Sequence, residues 1–298
     1  MSAIAQYASP LVESELRALL LRYRRENWQG IQTAEVQEKV VDDILHSGCE
    51  QVLDALAPYV VLSPGARVLD IGSGVGSFVV GCRQRKFVAY GVEPDRIGAG
   101  AGLTSIEIAS RRLKENSFIS GTGERLPFAD RSFDLVSLNQ VIEHVADQQT
   151  VMTEAARVVK PGGAIYVACP NYLRFYEPHY KISWLPLMPH WLARLYLRRL
   201  KRNPVMLDQL TYTTNRRLKK WLTALGPEFM VLDLHREDFL RKLAAGSFAS
   251  APAKLVRRFI QLPIAGGAVK AAALLFMSIR EGGCAMVVLR APEAAIDS

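Results

Sequence analysis

At 298 residues, with 49% hydrophobic and 22% charged side chains, the chain has the content of one large α/β domain with additions or of two small domains. A formal net charge of +8 and a pI near 9.4 point to an anionic neighbour (phosphate, nucleic acid or a membrane surface) or simply to a basic outside. Cys49, Cys82, Cys169 and Cys284 are scattered without a Cys-x-x-Cys pair and read as reduced thiols, Met1–Pro10 lacks a signal-peptide pattern, and no apolar run is long enough to span a bilayer.

Residues 11–27 place Leu11, Leu16, Leu19, Leu20 and Tyr23 in a helical stripe, and a second helix is expected over Ala34–Ala57. Ser63-Pro64-Gly65 is a turn that delivers the first strand. In Arg67–Phe78, Val68, Leu69 and Ile71 suit a strand covered on both faces, and Gly72, Gly74 and Gly76 allow a sharp turn and close approach of a ligand. The helix that follows, expected over Val75–Arg85, aims its free N–H groups at that turn. A strand over Phe87–Val92 leads to Glu93, about 20 residues after Gly72, where an acid can hold ribose hydroxyls. Asp70, just before the glycines, would repel a pyrophosphate but suits a cationic amino group. The pattern Asp-x-Gly-x-Gly-x-Gly over Asp70–Gly76 resembles motif I of the class I S-adenosylmethionine-dependent methyltransferases.

A helix over Ile97–Lys114 and a short strand at Ser117–Ile119 continue the alternation, which argues for a doubly wound sheet with its ligand beyond the strand ends, where Asp70, Gly72, Glu93, Gly121 and Asn139 fall. The segment Gly121–Val136, with Leu126-Pro127-Phe128 and Phe133-Asp134, resembles the methyltransferase stretch from the third strand to the fourth. In the family an acid after the first glycine often accepts the adenine amino group, and here Thr122 stands there. Ser137–Val145 ends the fourth strand and is expected to start a helix. Asn139 and Gln140 would border the methionine part of the cofactor, and His144 is either a general base or a packing residue. Some relatives carry Glu-x-x-Glu-His here and bind a divalent metal. This chain has Gln140 in place of the first carboxylate, and the expectation is no metal site, although Glu177-Pro178-His179-Tyr180 could supply ligands. A helix over Gln148–Val159 ends at the family-like turn Lys160-Pro161-Gly162-Gly163, before a fifth strand over Ala164–Cys169.

Residues 172–213 read as an insertion rich in Tyr, Phe, Trp and Pro that could form a lid. Its Trp191–Arg202 helix sets apolar residues beside arginines, as an interfacial helix or a solvated basic face would. Strands near Phe229–Leu234 and Ala285–Leu289 would form an antiparallel edge. Between them a second insertion, about 238–281, holds a basic stretch, Lys254–Ile260, and an apolar one, Leu262–Met277, which suit a membrane contact, an acceptor tunnel or a core helix.

The resemblance implies N-terminal helices over 1–58, able to cap a cleft or merely to pack, and a methyltransferase domain over 59–298. Its fold would be a seven-stranded Rossmann-like sheet, mostly parallel with an antiparallel last strand. It implies an enzyme using S-adenosyl-L-methionine. Asp70, Gly72, Ser73, Gly74 and Gly76 would hold the methionine moiety, Glu93 the ribose, and Thr122, Gly123 and Glu124 the adenine. Asn139 and Gln140 would lie beside them, with His144, His179 and Tyr180 as catalytic candidates. The expected acceptor is an oxygen on a small molecule, a glycan or a lipid-linked precursor. The Asn/Asp-Pro-Pro-Tyr/Phe motif of base methyltransferases is absent, which argues against nucleic acid. A cytoplasmic protein, with an anionic membrane surface as a further partner at its inner face, fits the charge. The alternative is a non-catalytic cofactor-binding relative within a membrane-associated assembly.

Overall fold

The computed structural model describes residues 13–94, 104–113, 116–237, 241 and 283–293. Seven strands form one sheet: β1 (Arg67–Ile71), β2 (Val88–Glu93), β3 (Phe118–Ser120), β4 (Phe133–Asn139), β5 (Val159–Pro170), β8 (Phe229–Asp233) and β9 (Gly283–Arg290). Their order is β3-β2-β1-β4-β5-β9-β8, with β9 antiparallel to both neighbours and the β3-to-β5 pairs parallel. The fold expected from the alternating pattern is therefore the one observed. Strand order reverses between β1 and β4, the place where such sheets leave a crevice for ligands.

Alternating side chains divide the core in two. Leu69, Ile71, Val136, Leu138, Ile165 and Val167 face α6 (Gln148–Val158) and α8 (Asn215–Thr223) on one side. Val68, Ala89, Leu135, Tyr166 and Val287 face α3 (Glu50–Leu56) and α4 (Ser77–Gln84) on the other. The Phe-Asp pair that opens β4 is a staple: Asp134 accepts from the Arg67 backbone N–H at 2.7 Å and pairs with Lys160 at 2.8 Å. Lys160–Gly163 is not a turn before β5 but an irregularity within it. The register with β4 jumps from Phe133↔Val159 to Leu135↔Ala164, and Gly162 takes φ +77°.

Other boundaries shift for local reasons. The first helix is α1 (Glu13–Asn27). The second expected helix is two, α2 (Ala34–His46) and α3, because Ser47 turns extended and caps Ile44 with its backbone N–H and its hydroxyl. That break lets α4 come close: a Cβ on Gly81 would lie 2.7 Å from the Cys49 nitrogen and 3.1 Å from the Gly48 Cα. The helix expected over Ile97–Lys114 is seen as α5 (Ser105–Arg112), begun by a Thr104–Glu107 capping box, with 97–103 and Lys114 outside the described residues. Lys254–Ile260 and Leu262–Met277 also lie outside them.

The Tyr172–Thr213 segment folds as a small hairpin, β6 (Tyr176–Glu177) with β7 (Ile182–Ser183), then α7 (His190–Arg199) and a 3-10 turn at Pro204–Gln209. It has its own core of Tyr180, Trp184, Met188, Ala193, Leu197, Met206 and Leu207, and that core includes Ile31 and packs on Trp28 from the segment after α1. The insertion and the N-terminal segment are thus one packed layer. Among the described residues no helix is long and apolar enough to cross a membrane.

Gly81 tests the α4 contact. A Gly81→Ala substitution gains helix propensity but drives a methyl group into backbone atoms, so a net loss of about 1–3 kcal/mol is expected in urea unfolding.

Candidate functional site

Chain reversal at the end of β1 sets the first half of the site. Gly72 has φ +69°, and a Cβ there would meet Val141 at 2.5 Å; Gly76 has φ +80°, caps α4, and would meet the Phe118 ring at 2.6 Å. At Gly74, with φ +51°, no heavy atom lies within 4 Å of a Cβ position, so space is open above the turn. The Gly72 and Ser73 N–H groups donate to the Val92 carbonyl at 2.8 and 3.1 Å, which ties the turn to the end of β2.

Two buried acids flank this turn. Glu93 accepts from the Gly74 N–H at 3.0 Å and from the Ser105 hydroxyl at 2.8 Å. Burial raises its pKa, and those two bonds hold it back. Asp70 is 5% exposed; burial pushes its carboxyl up to about 7, and the charge of Glu93 adds to the effect. Tyr23 of α1 lies near Glu93, its phenol raised by burial and then by that charge. Gly123 is buried against Ile71 and Val151, while Thr122 is exposed and Glu124 half-buried just beyond β3. Asn139 and Gln140 are exposed at the end of β4, where Gln140 takes φ +61° and donates its N–H to the Ala168 carbonyl at 2.7 Å. The parallel registers bring these expected cofactor-side positions to one edge of the sheet.

The second half lies past β4. No helix starts at Val141. The chain makes a single turn closed by the His144 N–H to the Val141 carbonyl at 2.8 Å, and α6 begins only after Asp147 caps it. This turn buries Glu143 completely and leaves both its carboxylate oxygens without a hydrogen-bond partner among the described residues. Burial pushes that carboxyl up to about 7. His144 meets His179 of the insertion, Nε2 to Nε2, at 3.1 Å. Desolvation by the packed surroundings, and then the facing His179, lower the His144 pKa, although 32% of its side chain stays exposed. His179 turns its Nδ1 to Glu177 at 2.7 Å; Glu177 also accepts from the Tyr180 backbone N–H at 2.6 Å and the Tyr172 hydroxyl at 3.4 Å.

Tyr180 does not join this cluster. Its ring is buried in the insertion core and its hydroxyl donates to the Asn203 carbonyl at 2.9 Å, so its contribution is to hold the hairpin. The expectation of no metal site weighed the linear motif with Gln140. In space His179 stands beside Glu143 and His144, and ligand atoms of these three lie within 4.8 Å of one another.

Sequence reasoning left several contributors out of the site. Ser105 partners Glu93 from a segment with no motif. Arg24 donates to Gln32 at 2.5 Å, and Gln32 donates to the His179 carbonyl at 2.5 Å, joining α1 to the histidine pair. Glu143 and Glu177 stood in quoted motifs, and only their burial marks them out.

Residues 69–167 match a family model described as a methyltransferase domain. The chain is 33% identical over 141 residues to a ubiquinone biosynthesis O-methyltransferase of Brucella anthropi, covering 44% of this chain and 54% of that one. It is 31% identical over 134 residues to a demethylmenaquinone methyltransferase of Renibacterium salmoninarum, covering 43% and 52%. The chain therefore spans about half the length of these curated relatives. In fold it resembles a Haemonchus contortus phosphoethanolamine N-methyltransferase 2 solved with S-adenosyl-L-methionine, with a TM-score of 0.50 at 16% identity, covering 95% of this chain and 61% of that one.

The buried Asp70 gives a pH signature. Its pKa is about 7 in the fold and near 3.9 unfolded, so the folded state holds the extra proton between those values and stability falls as pH rises through that window. Urea unfolding at pH 5 and pH 8 should show Asp70→Asn losing less stability over the interval than the parent chain, by on the order of a few kcal/mol. Equal losses in both would mean that Asp70 ionises normally.

Proposed function

We propose that the methyltransferase domain of residues 69–167 transfers a methyl group from S-adenosyl-L-methionine to an oxygen of a small-molecule acceptor. One observation carries this reading: Asp70, the open turn at Gly74 and the buried Glu93 converge where strand order reverses. A buried carboxylate next to open space suits a cationic amino group, because the ligand's charge replaces the lost hydration. Asp70 with Gly72–Gly76 would hold the methionine moiety, Glu93 the ribose hydroxyls, Thr122, Gly123 and Glu124 the adenine, and Asn139 with Gln140 the methionine side. Methyl transfer is an in-line displacement at the sulfonium carbon, so the protein's first task is to align donor and acceptor and keep water out. His144 and His179, which meet at 3.1 Å past the β4 end, would take the acceptor proton. The similarity to ubiquinone and demethylmenaquinone methyltransferases favours an acceptor of quinone-precursor type.

The insertion supports a second element, docking on an anionic membrane surface. Trp191 and Leu195, one helical turn apart on α7, are 69% and 60% exposed, and Leu185, Leu187 and Leu200 are exposed nearby. Arg194, Arg198, Arg199, Lys201 and Arg202 flank them against a single exposed acid, Asp208, which pairs with Arg194. An apolar ridge framed by cations suits an anionic bilayer surface in charge and amphipathic character.

Isothermal titration should give saturable one-to-one binding of S-adenosyl-L-methionine, weakened about 10–100-fold in Glu93→Ala by loss of charge-assisted bonds. Affinity should rise with pH up to about 7 and then level, because the cation requires ionised Asp70. No binding at any pH would overturn the enzyme reading in favour of a fold relative. Flotation with vesicles containing phosphatidylserine should recover the protein at low salt and lose it in Trp191→Ala/Arg198→Glu. Indifference to lipid charge would overturn the docking.

A further inference from the structure

On the methyl-transfer reading of the site, we infer that the Arg24 guanidinium binds an oxyanion group of the acceptor, a carboxylate or a phosphate, so that the acceptor is an anionic small molecule.

Arg24 is a buried cation without a counterion. It lies on α1 and is 6% exposed. Among the described residues no carboxylate pairs with it, and its Nε has no hydrogen-bond partner. Its hydrogen bond goes to a neutral amide, Gln32 Oε1, at 2.5 Å. The Trp28 ring covers one face of the guanidinium, with Cζ 3.9 Å from the ring centroid. An aromatic face offsets part of the lost hydration but gives the in-plane N–H groups nothing to donate to. Desolvation pulls the guanidinium pKa down to about 10, which leaves it charged at neutral pH. Arg112 is buried to the same degree, but its Nη1 ties the Val75 carbonyl to the Ser77 hydroxyl, an internal task. Arg24 has no such task toward the backbone. Proteins keep buried charges paired, so a cation held in this state marks the seat of an anion.

Two observations put that anion on the acceptor side. Gln32 passes the contact on: its Nε2 donates to the His179 carbonyl at 2.5 Å, so the guanidinium stands one side chain away from the His144–His179 pair. Both neighbours of Arg24 are fixed, because Gln32 is bonded at each end of its amide and Trp28 packs on the insertion core. The donor side of α1 belongs to a different residue. Tyr23 is the one near Glu93 and Ser105. Helical geometry of 3.6 residues per turn rotates Arg24 by roughly 100° from it.

The chemistry of the guanidinium selects the class of ligand. Its planar fork matches the oxygens of a carboxylate or phosphate through parallel N–H bonds, which an ammonium cannot reproduce. With one face against Trp28, approach in the guanidinium plane suits such a group. An acceptor anchored there by its charge would be held in one orientation, with its hydroxyl presented to the histidines and the sulfonium methyl.

The test uses the full chain and three probes, benzoate, phenyl phosphate and uncharged benzamide, titrated calorimetrically with and without saturating S-adenosyl-L-methionine. At least one anion should bind one-to-one, and benzamide about 10-fold more weakly or not at all. The tighter of the two anions decides between carboxylate and phosphate. Arg24→Met, which keeps the length and the contact with Trp28, should weaken anion binding about 10–100-fold and leave donor binding within about threefold. Arg24→Lys returns the charge without the fork and should restore only part of the affinity. Without ligand, the unfolding midpoint of Arg24→Met should equal or exceed that of the parent, because an apolar side chain removes an unpaired buried charge. A lowered midpoint would make Arg24 a structural strut and overturn the assignment. Absence of anion binding in the parent, or equal binding in Arg24→Met, would overturn it while leaving the methyltransferase reading intact. Parallel loss of donor and anion binding in a folded Arg24→Met would also overturn it, by assigning the residue to the donor. A parent that binds the anions but no donor would overturn the methyl-transfer reading instead.

Discussion

A strand at the centre of a parallel sheet must hand the chain to a helix within a few residues and still leave its end uncovered if anything is to bind there. In this protein that constraint is met by glycine backbone. Gly72 and Gly76 adopt left-handed conformations against Val141 and Phe118, where any side chain would collide, and Gly74 is left facing open space. Asp70 and Glu93 flank that opening. The same compression places the Gly74 N–H against Glu93, so the turn and the acid that follows it are one unit.

The four buried carboxylates among the described residues differ in how they are held. Glu93 has two donors, and Glu177 has three, one of them an imidazole. Each is fixed in position by these bonds. Asp70 sits above its ordinary range, and Glu143 has no hydrogen-bond partner among the described residues. Low dielectric makes an incompletely satisfied acid costly, so its retention marks a place where something else completes it. Asp70 lies in β1 and Glu143 past the end of β4, the two strands between which strand order reverses.

Much of this was legible in the chain itself. Valine and isoleucine runs at regular intervals gave the sheet, and the order of Asp70, the glycines, Glu93 and Phe133-Asp134 gave its topology. Phe133-Asp134 marks the start of β4, and the task of Asp134 there is mechanical, joining the Arg67 backbone to Lys160. What failed were local endings. Ser47 capping splits one expected helix, and Val141–His144 closes as a single turn before Asp147 caps α6. Tyr180 was misplaced because nothing in Glu-Pro-His-Tyr tells which side chain turns inward; the hairpin pairing Tyr176↔Ser183 and Glu177↔Ile182 decides that. The meeting of His144 with His179 depends on how a long insertion folds back, which no local pattern encodes.

The contact from Arg24 through Gln32 to the His179 carbonyl spans 147 positions between its last two members. The same helix α1 carries Tyr23 beside Glu93. One helix therefore reaches toward both Glu93 and His179, and the N-terminal segment shares a hydrophobic core with the insertion that holds His179. A change of shape in the insertion is thereby transmitted to the N-terminal helix, and substitutions in one would have to be accommodated by the other.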